Sequence, residues 1–277
     1  MIEIGKINRL RVLRETSVGW YLGDADGEDV LLPKKYCPSP FIPETEMEVF
    51  VYLDKEGRKV ATTLRPRILL NEFAPLKVTS VTRIGAFLDW GPEKELLVPF
   101  REQKETMEKG CSYVVYLGLD KVSGRLYASS RVEKFLDNEH LSVAKKEKVS
   151  LLVYRKTDIG YAVIVNNRHR GLIFHEDVFR GIKTGERLEG YVKKIRPDGL
   201  LDISLQAIGY NNYNADNSER IYLKLVENNG FLPLGDKSSP DEIYDLLGMS
   251  KKAFKKSVGA LYRQKRIQLE AEGIRLL

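Results

Sequence analysis

The chain has 277 residues, of which 43% are hydrophobic and 30% charged, and its 45 Lys and Arg against 39 Asp and Glu leave a net charge of +6. That balance is enough to bury cores and excludes a chain disordered as a whole, while no apolar run approaches the roughly 20 residues of a membrane span. The excess of positive charge admits a polyanion as partner without requiring one.

The opening Met1-Ile2-Glu3-Ile4-Gly5-Lys6 lacks both the apolar core and the small-residue cleavage site of a signal peptide, so export is not expected. Cys37 and Cys111 form no Cys-x-x-Cys pair and fit a reducing cytoplasm as incidental thiols. Length alone predicts about two domains. An internal repeat argues for more, smaller ones.

The first copy reads Val18-Gly19-Trp20-Tyr21-Leu22, then Leu31-Leu32-Pro33, then Glu56-Gly57-Arg58. The second reads Ile84-Gly85-Ala86-Phe87-Leu88, then Leu97-Val98-Pro99, then Ser123-Gly124-Arg125-Leu126-Tyr127-Ala128-Ser129. The third reads Ile159-Gly160-Tyr161-Ala162-Val163, then Leu172-Ile173-Phe174, then Asp198-Gly199-Leu200. The three landmarks shift by 66, 66 and 67 residues between the first two copies and by 75 at each between the last two. Landmarks that keep register twice over mark a tandem array.

Within each copy, β-branched and aromatic residues alternate with period two and break at Gly, Asp and Asn, the pattern of short antiparallel strands. Five strands per copy, in a unit of roughly 60 to 70 residues, predict an OB-type Greek-key barrel. Between the third and fourth strands the copies differ. Three prolines in Cys37-Pro38-Ser39-Pro40-Phe41-Ile42-Pro43 forbid a helix, whereas Arg101 to Lys109 predicts a helical turn stopped by Gly110, and His175 to Gly181 is shorter. The linker from Arg131 to Lys148 is partly helical in composition.

The turn-rich stretch from Gly209 ends the array, and the period then changes to that of helices. Ser218 is expected to cap a helix through Asn228, and Ser239-Pro240-Asp241-Glu242 to start another that ends near Leu247 before Gly248. Ser250 is expected to cap a third through about Arg266, with Phe254, Val258, Leu261 and Tyr262 as one buried stripe. A weak hairpin around Gly273 completes a winged helix. The fold class is therefore mainly β and multidomain. Three tandem five-stranded OB barrels at residues 1–66, 67–132 and 145–208 precede an α/β winged-helix domain at 216–277.

No catalytic or metal-binding constellation is evident. His140, His169 and His175 have no zinc-ligand spacing with the cysteines, and there is no Walker loop, nucleophile elbow or His-Glu-x-x-His. Glu176 and Asp177 are read as solvated surface rather than as Mg²⁺ ligands. The expectation is a protein without enzymatic activity, cofactor or metal.

Single-stranded nucleic acid needs aromatic platforms for bases and cations for phosphates. The glycine landmarks offer Tyr21, Phe87 and Tyr161, and the strand-three ends offer Lys34, Lys35, Arg101, Phe174 and the nearby Arg168, His169 and Arg170. Arg125 joins them from the last hairpin of copy two. Any one of these rings is as well read as core, but the basic neighbours recur at one corner of each copy. In the last helix Lys252, Lys255, Lys256, Arg263 and Arg266 lie away from the apolar stripe, with no acid from Lys251 to Arg266. Without a central Asn or Gln to read bases, this face predicts phosphate contact rather than sequence readout.

The pattern Gly-x-Phe-Leu, Leu-Val-Pro, Gly-Arg-Leu-Tyr-Ala-Ser resembles the RNA-binding motif of ribosomal protein S1. Three such copies followed by a winged helix resemble the conserved virulence factor B family of bacterial RNA-binding proteins over essentially the whole chain. The resemblance implies a cytoplasmic post-transcriptional regulator binding single-stranded RNA. The motif's usual aromatic before the glycine is replaced here by Val18, Ile84 and Ile159, and its histidine at the end of strand three by Pro33, Pro99 and Phe174. These losses imply weak binding per repeat, strengthened by linking modules on one strand. Two other readings stay open at this level: a DNA-binding regulator acting through the winged helix, and a protein-interaction scaffold.

Overall fold

A computed structural model describes residues 1–40, 42–178, 181–206 and 213–277. Gly209 to Asn212 of the turn-rich stretch, and Phe41, Phe179 and Arg180 of two predicted loops, lie outside the described residues, and from Tyr213 the stretch is helical rather than turn. The chain divides into two compact units, Met1–Asp137 and Asn138–Leu277.

The first unit holds two barrels. Strands β1 (Ile7–Thr16), β2 (Gly19–Gly23), β3 (Asp29–Pro33), β4 (Glu46–Leu53) and β5 (Lys59–Thr62) close in the order β1-β2-β3-β5-β4, with Leu31 of β3 and Val60 of β5 forming the parallel seam. Strands β6 (Phe73–Thr82), β7 (Gly85–Asp89), β8 (Leu96–Pro99), β9 (Ser112–Leu119) and β10 (Leu126–Ser129) follow the same plan. Their ladder order is β10-β9-β6-β7-β8, and β8 and β10 touch with no ladder between them. In the second unit, β11 (Lys148–Thr157), β12 (Gly160–Val165), β13 (His169–Phe174), β14 (Arg187–Ile195) and β15 (Leu201–Ser204) close through a parallel β13–β15 seam of three pairs, Gly171 to Leu201 through Ile173 to Ile203.

The period-two pattern explains each barrel. Trp20 and Leu22 in the first, Ala86 and Leu88 in the second, and Tyr161 and Val163 in the third face inward and are buried. The long first strand carries a register shift at the same point in every copy, between Val12 and Arg14, Val78 and Ser80, and Val153 and Arg155. That bulge bends one strand so that it pairs on both sides of the barrel. The landmark glycines are required by close approach. A Cβ at Gly19, Gly85 or Gly160 would lie 2.1, 2.2 or 1.9 Å from the carbonyl oxygen of Leu32, Val98 or Ile173. Each also has a positive φ, of 148, 146 or 158°.

The first two barrels are fused rather than strung together. Phe50 and Tyr52 of β4 belong to the core that contains Leu76, Leu88, Trp90 and Val115 of the second barrel, and Phe50 meets Trp90 edge-on with ring centroids 5.4 Å apart. Each fully buried side chain of this size stabilises by about 1.5–3 kcal/mol relative to exposure.

The predicted helical turn after Arg101 is corrected: only Phe100–Glu102 forms a 3-10 turn. Helix propensity loses there to tertiary contacts, with Met107 2% exposed in the core and Gln103 Nε2 donating to the Val98 carbonyl at 3.0 Å. The linker after Arg131 holds only the 3-10 turn Val132–Phe135. A similar turn, Lys34–Tyr36, follows β3 despite the prolines beyond it.

The C-terminal region contains α1 (Tyr213–Glu227), β16 (Phe231–Leu232), α2 (Pro240–Leu247), α3 (Lys251–Arg263), β17 (Ile267–Glu270) and β18 (Gly273–Leu276), with sheet order β16-β18-β17. Helix α2 begins as the sequence predicts, with Ser239 and Glu242 exchanging hydrogen bonds in a capping box, and ends at Gly248 in the left-handed conformation. Ser250 caps α3 through the Ala253 N–H at 3.1 Å. Two expectations are corrected. Ser218 sits inside α1, not at its cap, and α3 stops at Arg263. Among the described residues no helix is long and apolar enough to cross a membrane.

Candidate nucleic-acid interface

Alternation along β2 and β7 places Tyr21 and Phe87 one residue beyond the inward ring position, so both are half-buried on the outer face. The Arg14 guanidinium lies 4.1 Å from the centroid of the Tyr21 ring and is held by Asp29 at 2.8 Å. Lys34 and Lys35 are exposed on the turn after β3. Lys35 pairs with Glu93 of the second barrel and lies 4.9 Å over Tyr36.

In the second barrel Phe87, Arg101 and Arg125 line one cavity of about 420 Å³. Tyr127, Ile84, Leu97 and Pro99 line it too, as do Tyr52 and Leu53 of the first barrel. Arg101 is highly exposed, with Asp120 as a distant partner at 4.0 Å. Arg125 donates through Nη2 to the Lys55 carbonyl at 3.2 Å. Lys94 also lines the cavity, donating to the Leu53 and Asp54 carbonyls at 2.7 and 3.1 Å, and burial pushes its ammonium pKa down. Burial likewise pushes the Tyr127 phenol up, while the Ser123 N–H and hydroxyl hold Asp120 below the usual carboxylate range.

The third barrel departs from expectation. Tyr161 is 9% exposed and packs in the core, because it stands one residue after Gly160, where Phe87 stands two after Gly85. Ala162 occupies the outer position. His169 is 0% exposed, and its Nε2 accepts from the Ser142 N–H at 3.2 Å and lies 2.8 Å from the Ser142 hydroxyl. Neither is a surface for a ligand. Arg168 and Arg170 are exposed, but at the start of β13 and thus at the opposite end of that strand from Phe174. The Arg170 backbone is bonded to the Asn138 side chain at 2.7 and 2.9 Å. Phe174 instead lines a groove of about 390 Å³ with Lys145, Lys193 and Lys194, under an Arg196 guanidinium 5.6 Å from its ring centroid. Carboxylates occupy part of that charge. Asp177 holds Lys193, and Asp202 holds Arg196, each at 2.7 Å.

On α3, Lys252, Lys255, Lys256 and Arg263 form an exposed basic face, with Lys255 3.3 Å from Asp236. Tyr262 is 53% exposed and joins this face rather than the core. At about 100° per residue it falls off the line of Phe254, Val258 and Leu261. Arg266 lies beyond the helix, 3.8 Å over the Tyr222 ring and 3.3 Å from Glu219, so it braces α1 and is withdrawn from the basic face.

Sequence reasoning missed Arg14, Lys94, Tyr127, Lys145, Lys193, Lys194, Arg196 and Tyr262. The pair Lys193-Lys194 and the Tyr127 of the third landmark were visible signals; the remainder depended on strand partners. Among the described residues no group of three or more His, Cys, Asp and Glu side chains is placed to hold a metal ion.

Residues 4–64 match the S1 domain, and residues 219–276 match the CvfB-like winged helix domain. Conserved virulence factor B of Staphylococcus epidermidis (strain ATCC 12228 / FDA PCI 1200) is 29% identical over 282 residues, covering 99% of this chain and 94% of that protein. The protein of the same name from Staphylococcus aureus (strain NCTC 8325 / PS 47) is 28% identical over 286 residues, with the same coverage. The structure of a multidomain protein with nucleic acid binding domains from Streptococcus pneumoniae TIGR4 has a TM-score of 0.42 and 24% identity, covering 99% of this chain and 98% of that one. Barrels of this type bind nucleic acid, and nucleic-acid binding is the function that the matched modules support. With relatives named conserved virulence factor B matched along almost its whole length and a winged helix of the CvfB type at its end, the chain is similar to the conserved virulence factor B proteins from one end to the other.

Proposed function

We propose that this protein is a non-enzymatic bacterial RNA-binding protein that engages single-stranded RNA through its barrels and the basic face of α3, and acts as a post-transcriptional regulator of the virulence-factor type. One observation carries the reading. Each barrel presents a half-buried ring beside cations: Tyr21 under Arg14, Phe87 with Arg101 and Arg125, and Phe174 with Arg196, Lys193 and Lys194. Rings suit unstacked bases, which a duplex does not offer, and the cations suit the phosphates between them. On α3 the charges surround Gly259, so the helix has no central side chain with which to read a base edge. A cytoplasmic setting belongs to the same reading, in keeping with free thiols at Cys37 and Cys111.

The test is a comparison of single-stranded RNA with duplex DNA of equal length over a salt series. Single-stranded RNA is expected to bind more tightly; a clear preference for the duplex overturns the reading. Reversing Lys252, Lys255 and Lys256 to Glu is expected to lower the slope of log affinity against log salt by roughly 2, at about 0.7 per phosphate contact on a single strand. An unchanged slope assigns that face to solvent.

A further inference from the structure

The cavity beside Phe87 has a property that an open binding track lacks: a wall. Besides Phe87 of β7 and Leu97 and Pro99 of β8, the cavity is lined by Tyr52 and Leu53 at the end of β4 in the first barrel. The wall is fastened. Lys94 donates to the carbonyls of Leu53 and Asp54 at 2.7 and 3.1 Å, Arg125 donates to that of Lys55 at 3.2 Å, and Phe50 and Tyr52 are rooted in the second barrel's own core. Strands β8 and β10 touch without a ladder, and Leu97, Pro99, Leu126 and Tyr127 of those strands also line the cavity. In the other two barrels the corresponding strands are paired. Gly118 makes room for the Tyr127 ring, since a Cβ there would lie 2.7 Å from it.

The chemistry of the lining is that of one nucleotide. Phe87, Tyr127, Ile84 and Pro99 supply apolar and aromatic surface for a base, and Arg101, with most of its side chain in solvent, stands ready for a phosphate beside Arg125. A volume of about 420 Å³ holds one such unit and not a run of them. We propose that this walled cavity is a terminal-nucleotide site, which takes a base with its unlinked phosphate, presented either by the end of an RNA strand or by a free nucleotide. The strand-end form rests on the RNA-binding reading above. The pocket chemistry does not.

The test uses the full-length protein and three probes: free UMP, a short linear single-stranded RNA with a 5′-phosphate, and the same sequence closed into a circle. UMP is expected to bind at about 0.1 to 1 mM, and the linear RNA at least fivefold more tightly than the circle. Arg101→Gln alters one exposed side chain without touching the core, and Phe87→Leu keeps apolar bulk; each is expected to weaken UMP binding several-fold and to erase the advantage of the linear strand. Equal binding of linear and circular RNA with no binding of UMP overturns the inference while leaving the RNA-binding reading intact. Binding of UMP without RNA keeps the site as one for free nucleotides and overturns the RNA reading. Binding of UMP with equal affinity for line and circle rejects the strand end as the source, and no binding of any probe overturns both.

Discussion

The middle and third barrels share a strand plan, a bulge at one point of the long first strand and a landmark glycine, yet they place their rings and charges differently. In the middle barrel the ring after the glycine is Phe87, two residues on and half-buried on the outer face. In the third it is Tyr161, one residue on and in the core. A shift of one residue along a strand exchanges faces completely. The cations differ as well: Arg101 has a carboxylate 4.0 Å away, whereas Lys193 and Arg196 are each held by a carboxylate at 2.7 Å. A ligand phosphate at the third barrel must therefore compete with Asp177 and Asp202. The middle barrel has the freer charge, and its neighbour closes the site into a cavity.

What the two barrels have in common gives the largest expected effect. Gly160→Ala in the third barrel drives a Cβ to 1.9 Å from the Ile173 carbonyl oxygen, a backbone atom that cannot swing away. The strained φ and the overlap together are expected to cost about 3 kcal/mol or more, read as a lower denaturant midpoint. Gly259→Ala in α3 is the control, because its added Cβ meets nothing within 4 Å. That change is expected to be neutral or slightly stabilising, as Ala is the better helix former. Equal losses at both positions would remove the geometric account of the repeat.

The difference between the barrels gives the next. Tyr161→Ala deletes a buried ring and is expected to destabilise by about 3–5 kcal/mol. Phe87→Ala is expected to cost roughly 1 kcal/mol of stability, yet to weaken RNA binding by about tenfold, in line with about 1–3 kcal/mol for one stacked base. Melting curves and binding titrations on the same two variants check this. If Phe87→Ala melts as early as Tyr161→Ala, the ring is core in both barrels and the contrast fails.

The same contrast explains what was legible in the sequence. Three barrels and a winged helix follow from landmark spacing and from the change of period, because those signals report backbone geometry. The Ser239 capping box and the stop at Gly248 are local, so the residues that signal them are also the residues that form them. Ring orientation is less legible: Tyr161 lies beside its landmark glycine as a candidate platform, yet Ala162 holds the position of Tyr21 and Phe87, and the ring one residue after Gly160 turns into the core. The segment after Arg101 has helical composition, but its backbone is held by partners distant in sequence, such as the Ser130 hydroxyl accepting from the Lys104 N–H at 2.8 Å. The cavity wall was invisible for the same reason: Lys94 reaches carbonyls 41 and 40 positions earlier in the chain.

The smallest expected effect lies outside the barrels, at the start of α2. The Ser239 N–H donates to the Glu242 carboxylate at 2.6 Å and holds it below its ordinary value of 4.5. A carboxylate with a depressed folded pKa contributes stability above its unfolded pKa and loses it as pH falls through the folded one. The winged helix is therefore expected to weaken below about pH 4.5 partly through this group, by a small amount because Glu242 is fully exposed. Gln in its place still accepts the Ser239 hydrogen bond but carries no charge for the helix dipole. Glu242→Gln should accordingly be slightly less stable than the native chain near neutrality and converge with it in acid. The barrels, whose carboxylates the substitution leaves alone, should keep an unchanged acid response. Parallel denaturant titrations of the two proteins across that pH range separate the outcomes. A gap that stays constant with pH would mean that the cap acts through packing or hydrogen bonding alone, without the charge.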